Sequence, residues 1–491
     1  MIRARGLIAL ALMCSATAGA STPIRTTASG PVRGLTEAGI DVFRGIPYAA
    51  PPTGPRRWQA PAAPTAWRAP RDATRFGAVC PQPPPAGDIG VGSEPQDEDC
   101  LTLNIWTAAA GNRARRVPVF VWLHGGGYVT GSGSAAIYDG AALARRGAVV
   151  VTLNYRLGRL GFFAHPDVPV PGGNFALLDQ IAALRWIQRN IRHFGGDPAN
   201  VTLAGNSAGG EAVLWLMTMP AARGLFHKAI VQSGLGGRPP LEAAAAQGDA
   251  QGFASGLGAP RIDALRALPA TAIIAADRPS IYRGFGPALQ PDLIPASIMA
   301  SFAAGRQARI PLLIGYNSHE IPVEAIGGPA RIAPFLGQSE QSLARWREAY
   351  GSDADFITNI VSDVLFRSPA LQLASHHAAS GNASFVYRFD ARPVDAPAAL
   401  KGAPHAAERR FMFDTLDKAG TLATPSERRL ADTMANRWID FARHGQPGDD
   451  WPTWQRSHHC LIQFGLSGDG PADMPETRLT DMLIGSGQHK P

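Results

Sequence analysis

The clearest pattern along the chain is a series of short apolar runs separated by stretches whose apolar residues recur at helical spacing. Val117-Pro-Val-Phe-Val-Trp-Leu and Ala148-Val-Val-Val-Thr-Leu are almost continuously apolar, and Val201-Thr-Leu-Ala, Lys228-Ala-Ile-Val, Ile310-Pro-Leu-Leu-Ile and Ser384-Phe-Val-Tyr-Arg-Phe follow the same type. Runs of this kind predict strands buried on both faces. Residues 175–194 set Leu178, Ile181, Leu184, Ile187 and Ile191 on one helical stripe and stop at Gly195-Gly196, and residues 426–444 form a second long amphipathic helix ending near Gly445. Strands alternating with helices predict an α/β chain with a mostly parallel central sheet flanked by helices.

The segments around that frame are less regular. Residues 24–67 read as an antiparallel edge hairpin followed by a surface wrap, and Leu101-Thr-Leu-Asn-Ile-Trp alternates as a strand. Residues 81–99 form a polar loop rich in proline and glycine. The alanine-rich residues 236–309 read as a helical insertion over the sheet, with Leu265, Leu268 and Ile273 as core contacts and room for a lid. No repeat or low-complexity linker interrupts the chain, so residues 21–491 are expected to form a single domain with long loop and helical insertions.

Two of the strand ends carry candidate chemistry. Val201 leads into Gly205-Asn-Ser207-Ala-Gly209, and the residues from Glu211 onward suit a helix. In a glycine-rich chain Gly-x-Ser-x-Gly arises by chance; the strand, tight turn and helix around it make Ser207 a candidate nucleophile, its hydroxyl lifted from the sheet edge at a helix N-terminus. Val117–Leu123 runs into His124-Gly-Gly-Gly-Tyr128, where bare backbone leaves N–H groups able to act as an oxyanion hole. The alternatives are a flexible loop or a dinucleotide turn through Gly131-Ser-Gly. The second is disfavoured, because those glycines do not join a strand directly to a helix and no acidic ribose partner follows.

Composition narrows the class. With 491 residues and 45% hydrophobic content a large core is available, and 54 glycines with 42 prolines point to many loops. The net charge of +7 is almost all arginine, scattered rather than clustered, which argues against nucleic-acid binding. Arg3 and Arg5, the apolar Leu7 to Met13, and Ala18-Gly-Ala20 read as an export signal over residues 1–20 with cleavage after Ala20. The apolar run is too short to span a bilayer, so no stable membrane insertion is expected. Lipid attachment at Cys14 is disfavoured by the bulky Leu12 and Met13. An arginine-heavy, lysine-poor chain suggests a bacterial source and a periplasmic or secreted protein. Export makes a disulfide plausible, and Cys80 with Cys100 would close a compact loop, leaving Cys460 free.

Several stretches together resemble the type-B carboxylesterase family, the cholinesterase-like group of α/β-hydrolases, in its bacterial branch. They are Phe43-Arg-Gly-Ile-Pro-Tyr-Ala, Glu98-Asp-Cys-Leu-Thr-Leu-Asn-Ile, Gly125-Gly-Gly, Asn154-Tyr-Arg-Leu-Gly, Gly173-Asn-Phe-Ala-Leu-Leu-Asp-Gln, Phe194-Gly-Gly-Asp-Pro-Ala-Asn-Val-Thr-Leu and Gly205-Asn-Ser-Ala-Gly-Gly. The resemblance implies an α/β-hydrolase fold and a serine hydrolase that cleaves small-molecule carboxylic esters through an acyl-enzyme, without cofactor. It also implies a triad of Ser207, Glu320 and His405, the last two on Tyr316-Asn-Ser-His-Glu320 and Gly402-Ala-Pro-His405-Ala-Ala-Glu408. The oxyanion hole it implies comprises the N–H groups of Gly126, Gly127 and Ala208, and the Cys80–Cys100 loop matches the family's first disulfide.

Other histidines read differently. His319 reads as a surface residue and His124 as a packing or orienting one, while His458-His459-Cys460 lacks the further ligands a metal site needs. Two departures from the family stand out. Asn206 replaces the usual Glu before the serine, removing a negative charge beside the reaction centre. The disulfide loop lacks the tryptophan that stacks a quaternary ammonium, so a choline ester is not expected. The competing functions are a hydrolase for a bulky or anionic ester, amide or carbamate, and a non-catalytic binding protein of the same fold. Such binding proteins usually lose a member of the triad, and here every position is filled.

Overall fold

A computed structural model describes residues 22–84, 90–108, 116–170, 172–277, 285–396, 400–420, 422–455, 460–474 and 478–485. The N-terminal part holds β1 (Ile24–Thr27), β2 (Gly30–Arg33), β3 (Leu35–Glu37), β4 (Ile40–Pro47), β5 (Arg71–Asp72) and β6 (Thr102–Thr107). The middle holds β7 (Val117–Leu123), β8 (Val149–Leu153), β9 (Gly196–Asn206) and β10 (Lys228–Gln232). Then follow β11 (Leu312–Asn317), β12 (Ser384–Phe389), β13 (Cys460–Gly465) and β14 (Gly468–Asp473).

Eleven of these strands form one sheet in the order β14-β13-β12-β11-β10-β9-β7-β8-β6-β4-β3, and β1, β2 and β5 form a small separate one. Every pairing from β13 across to β8 is parallel, and the antiparallel pairs β13 with β14, β8 with β6, β6 with β4 and β4 with β3 close the two edges. The expected mostly parallel sheet is therefore present. The β13–β14 hairpin extends it beyond what the hydrophobic pattern points to, since Gly468-Asp-Gly-Pro-Ala-Asp carries no apolar repeat.

Alternation within the central strands explains why both faces are covered. On β7 the side chains of Val119, Val121 and Leu123 join one core while Phe120 and Trp122 join another on the opposite face. The first core is sealed by the helices Phe175–Asn190 and Ala208–Thr218, the second by Pro425–His444. That last helix begins with a capping box from Thr424 and Glu427 and stops at Gly445, whose φ of 75° suits glycine. Residues 236–309 contribute the helices Ala243–Gly256, Ile262–Ala267, Ala270–Ala276 and Ile298–Ala303. Leu265 and Ile273 are buried with Trp58, Phe163 and Phe175 in a satellite core, and Leu268 packs against it.

The Cys80–Cys100 disulfide is formed, and Cys460 is a free, buried thiol. The candidate export signal, residues 1–20, lies outside the described residues. Among the described residues no helix is long and apolar enough to cross a membrane.

Candidate active site

The strand order reverses between β7 and β9: the chain leaves β7 toward β8 on one side, and leaves β9 toward β10 on the other. Loops from such a point diverge and open a crevice at the carboxyl ends of the strands. The glycine run follows β7 and Ser207 follows β9, the middle strand, so both candidate motifs border that crevice.

Ser207 has φ 56° and ψ −125°, a left-handed turn between β9 and the helix Ala208–Thr218. Its neighbours make the turn possible. A Cβ on Gly209 would lie 2.1 Å from the Leu123 carbonyl oxygen, and one on Gly205 would lie 2.5 Å from the Gly209 carbonyl. Both positions admit only glycine, because helix and strand touch there through backbone. The Ser207 N–H donates to the Gln232 carbonyl at 2.8 Å, anchoring the turn to β10.

The structure brings the three predicted residues together. Ser207 Oγ is 2.8 Å from His405 Nε2, and His405 Nδ1 is 2.6 Å from Glu320 Oε2. A carboxylate only accepts, which assigns the His405 proton to Nδ1 and leaves Nε2 to accept from the serine hydroxyl. Glu320 is fixed in turn: the Asn317 N–H donates to its Oε1 at 2.7 Å, and its backbone carbonyl accepts from the His405 N–H at 3.1 Å. The imidazole lies against the Phe366 ring, centroids 4.9 Å apart. Glu320 is buried while His405 is part-exposed, so the arrangement faces outward through the histidine.

Ser207 and His405 open on a cavity of about 170 Å³ whose wall also includes Gly126, Gly127, Leu365 and Arg409. Gly126 and Gly127 have φ of 106° and 63°, and a Cβ on Gly126 would strike the Thr130 carbonyl at 2.2 Å. Their N–H groups have no backbone acceptor among the described residues. Ala208 supplies the first N–H of its helix, a position with no intrahelical partner. No described residue between Gly236 and Arg309 lines this cavity.

Asn206 and its partners form a buried layer behind the serine. Asn206 Nδ2 donates to Glu408 Oε1 at 2.9 Å, and Asn317 Nδ2 donates to Glu408 Oε2 at 2.6 Å. Burial, reinforced by the charge of Glu320, pushes the Glu408 carboxyl up to about 7. Sequence reasoning gave Glu408 no role, although its place three residues after His405 was a usable signal. His124 packs as expected, stacked on Tyr155 with centroids 4.3 Å apart. His319 corrects the expectation of a surface residue: it is only 6% exposed, its Nδ1 accepts from the Lys401 N–H at 3.2 Å, and desolvation holds its pKa down. Among the described residues no group of His, Cys, Asp and Glu could hold a metal ion, and His458-His459 lies outside them.

The profile of the carboxylesterase family matches residues 21–327 and 341–470. Para-nitrobenzyl esterase of Bacillus subtilis is 36% identical over 468 residues, covering 89% of this chain and 92% of that protein. Fumonisin B1 esterase of Sphingopyxis macrogoltabida is 36% identical over 489 residues, covering 91% and 88%. A thermophilic para-nitrobenzyl esterase structure superposes with a TM-score of 0.84 at 34% identity, over 94% of this chain and 100% of that one. A Geobacillus stearothermophilus carboxylesterase structure gives 0.81 at 32%, over 92% and 98%. Agreement in sequence and in fold along nearly the whole length places this chain in the carboxylesterase family.

Proposed function

We propose that the protein hydrolyses small-molecule carboxylic esters through an acyl-enzyme, with Ser207 as nucleophile, His405 as general base and acid, and Glu320 as the group that orients and stabilises the imidazole. The observation that carries this reading is the continuous hydrogen-bonded line from Ser207 Oγ through His405 to Glu320 at the edge of a cavity. A serine hydroxyl is a weak nucleophile, so His405 Nε2 takes its proton as Oγ attacks the ester carbonyl. The tetrahedral oxyanion is met by the N–H groups of Gly126, Gly127 and Ala208. His405 then returns the proton to the departing alcohol, and a water repeats the sequence to release the acid. The carboxylate of Glu320 balances the charge of the imidazolium.

The test is hydrolysis of a short-to-long acyl p-nitrophenyl ester series by the purified mature protein beside Ser207→Ala. Activity absent from the variant supports the assignment; a folded wild type inactive on every ester overturns it. We also propose that residues 1–20 are removed on export to the periplasm or medium, leaving residues 21–491 as one domain. Support comes from the basic and apolar pattern of that segment, from the disulfide, and from one sheet running from Leu35 to Asp473. A mature N-terminus at Ser21 in intact mass spectrometry is the expected result.

A further inference from the structure

A second, larger cavity of about 580 Å³ adjoins the one at Ser207, and the two share Leu235 and Leu365 in their walls. Leu235 lies in the loop after β10. Leu365 sits in a π-helical turn, Asp363–Arg367, a local irregularity of a kind that often marks functional sites. Beyond these leucines the wall carries an ion pair. Arg238 Nη2 donates to Glu211 Oε2 at 2.8 Å and Arg238 Nε to Glu211 Oε1 at 3.2 Å, while Trp215 Nε1 donates to Glu211 at 3.3 Å. Arg238 Nη2 also reaches the Phe285 carbonyl at 3.2 Å.

The two ends of this pair are not equally accessible. The Glu211 side chain is 1% exposed and that of Arg238 is 27%. Both border the chamber, but a ligand there meets mainly the guanidinium, because the carboxylate is almost fully covered. Arg238 Nη1 has no hydrogen-bond acceptor among the described residues. A Cβ on Gly286 would lie 2.9 Å from Nη2, so glycine there keeps the guanidinium uncrowded. Nearer the nucleophile the flanking residue is the uncharged Asn206, the cavity wall holds Arg409, and among the described residues no acidic side chain lines the Ser207 cavity.

Chemistry decides which arm of an ester enters. The alcohol oxygen must lie against His405 Nε2 to receive its proton, which puts the leaving group on the histidine side. The larger chamber, reached past Leu235 and Leu365, is lined by Glu211 from the helix that follows Ser207 and contains no part of His405.

We propose that this chamber takes the acyl arm of a carboxylic ester whose far end bears a carboxylate, recognised by Arg238; the inference rests on the ester-hydrolase reading of Ser207. A guanidinium held in a fixed plane by one carboxylate still offers donors suited to a second, and charge-assisted bonds of that kind discriminate strongly in a partly desolvated site.

The experiment measures proton release from the monoethyl esters of adipic, pimelic and suberic acids beside ethyl esters of unbranched monocarboxylic acids of the same length. The expected result is a kcat/KM at least roughly tenfold higher for one or more of the hemiesters than for its neutral partner. That ratio should collapse in Arg238→Gln and in the double variant Arg238→Gln/Glu211→Gln, which leaves no buried carboxylate unpaired if the single variant folds poorly. Because a ratio is read, losses common to both substrates cancel. Preference for the neutral ester at every length overturns the proposal, as does a ratio that survives in the double variant. Collapse in Arg409→Gln instead overturns it too, by moving the anion to the nearer cavity. No hydrolysis of any ester by wild type strikes the hydrolase reading itself and the inference with it.

Discussion

Two serines directly follow neighbouring strands in the middle of the sheet, and both have a positive φ. Ser207 closes β9 with φ 56°, and Ser233 follows β10 with φ 49°. Each passes its N–H to the next strand over, Ser207 to the Gln232 carbonyl at 2.8 Å and Ser233 to the Gly315 carbonyl at 2.9 Å. There the likeness ends. The Ser207 hydroxyl faces His405 and opens on a cavity, while the Ser233 hydroxyl is buried with no hydrogen-bond partner among the described residues. After Ser207 the chain enters a helix whose first N–H groups point back toward the hydroxyl; after Ser233 it enters an irregular loop. A left-handed serine at a strand end is thus a positioning device. In the proposed mechanism what sets Ser207 apart is a base from the loop after β12 and a cradle of N–H groups, two from the glycine run after β7 and one from Ala208 beside it.

That contrast can be broken in several places, beginning with the proposed nucleophile. Ser207→Ala should lower kcat by about 10⁶, with ester binding preserved; near-wild-type turnover would move the chemistry elsewhere. Glu320→Gln should cost about 10⁴ in kcat by letting His405 adopt the wrong tautomer, visible in the same assay. Gly126→Ala forces a side chain into 2.2 Å contact with the Thr130 carbonyl and disturbs the cradle, so kcat should fall about 10² to 10³ with KM less affected.

Glu408 sharpens the comparison through pH. It holds Asn206, the residue before Ser207, and the fold favours its protonated form, raised from 4.5 to about 7. The associated stability is fully present below about pH 4.5 and is lost as pH rises through about 7, by an amount on the order of 3 kcal/mol. Glu408→Gln should remove that increment, so urea midpoints measured at pH 5 and pH 8 should differ less in the variant than in wild type. The smallest effect belongs to the second serine. Ser233→Ala deletes a buried hydroxyl that makes no hydrogen bond among the described residues, so kcat should stay within about threefold and stability within about 1 kcal/mol.

The elements legible in the sequence are those whose environment is uniform. Strands β7 to β12 are buried on both faces, and their apolar runs say so directly. Ser207 and the glycine run were legible because their steric demands fall on adjacent residues, as the 2.1 Å clearance at Gly209 shows. Glu320 and His405 were reached only through family resemblance, since an acid at a strand end and a histidine in a loop have no local signature. β14 was not legible because Gly468-Asp-Gly-Pro-Ala-Asp has no apolar repeat, and its place is set by antiparallel pairing with β13, Cys460 opposite Asp473. His319 was misplaced because polar residues usually face water, and nothing nearby announces the Lys401 N–H that donates to its ring. The second chamber draws its walls from the helix after Ser207, the loops at 235–241 and 286–287, and residues 335–338 and 364–365, a convergence that no single stretch records.

The hydrogen bond between Ser207 and His405 joins residues 198 positions apart, across a sheet whose central strands are all parallel. Contacts of such long range form slowly, because the intervening chain must be ordered before they return any stabilisation. In kinetic terms hydrolysis is then among the last properties the folding chain acquires. During refolding, helical circular dichroism should recover ahead of ester cleavage, and a chromogenic ester becomes a clock for completed topology.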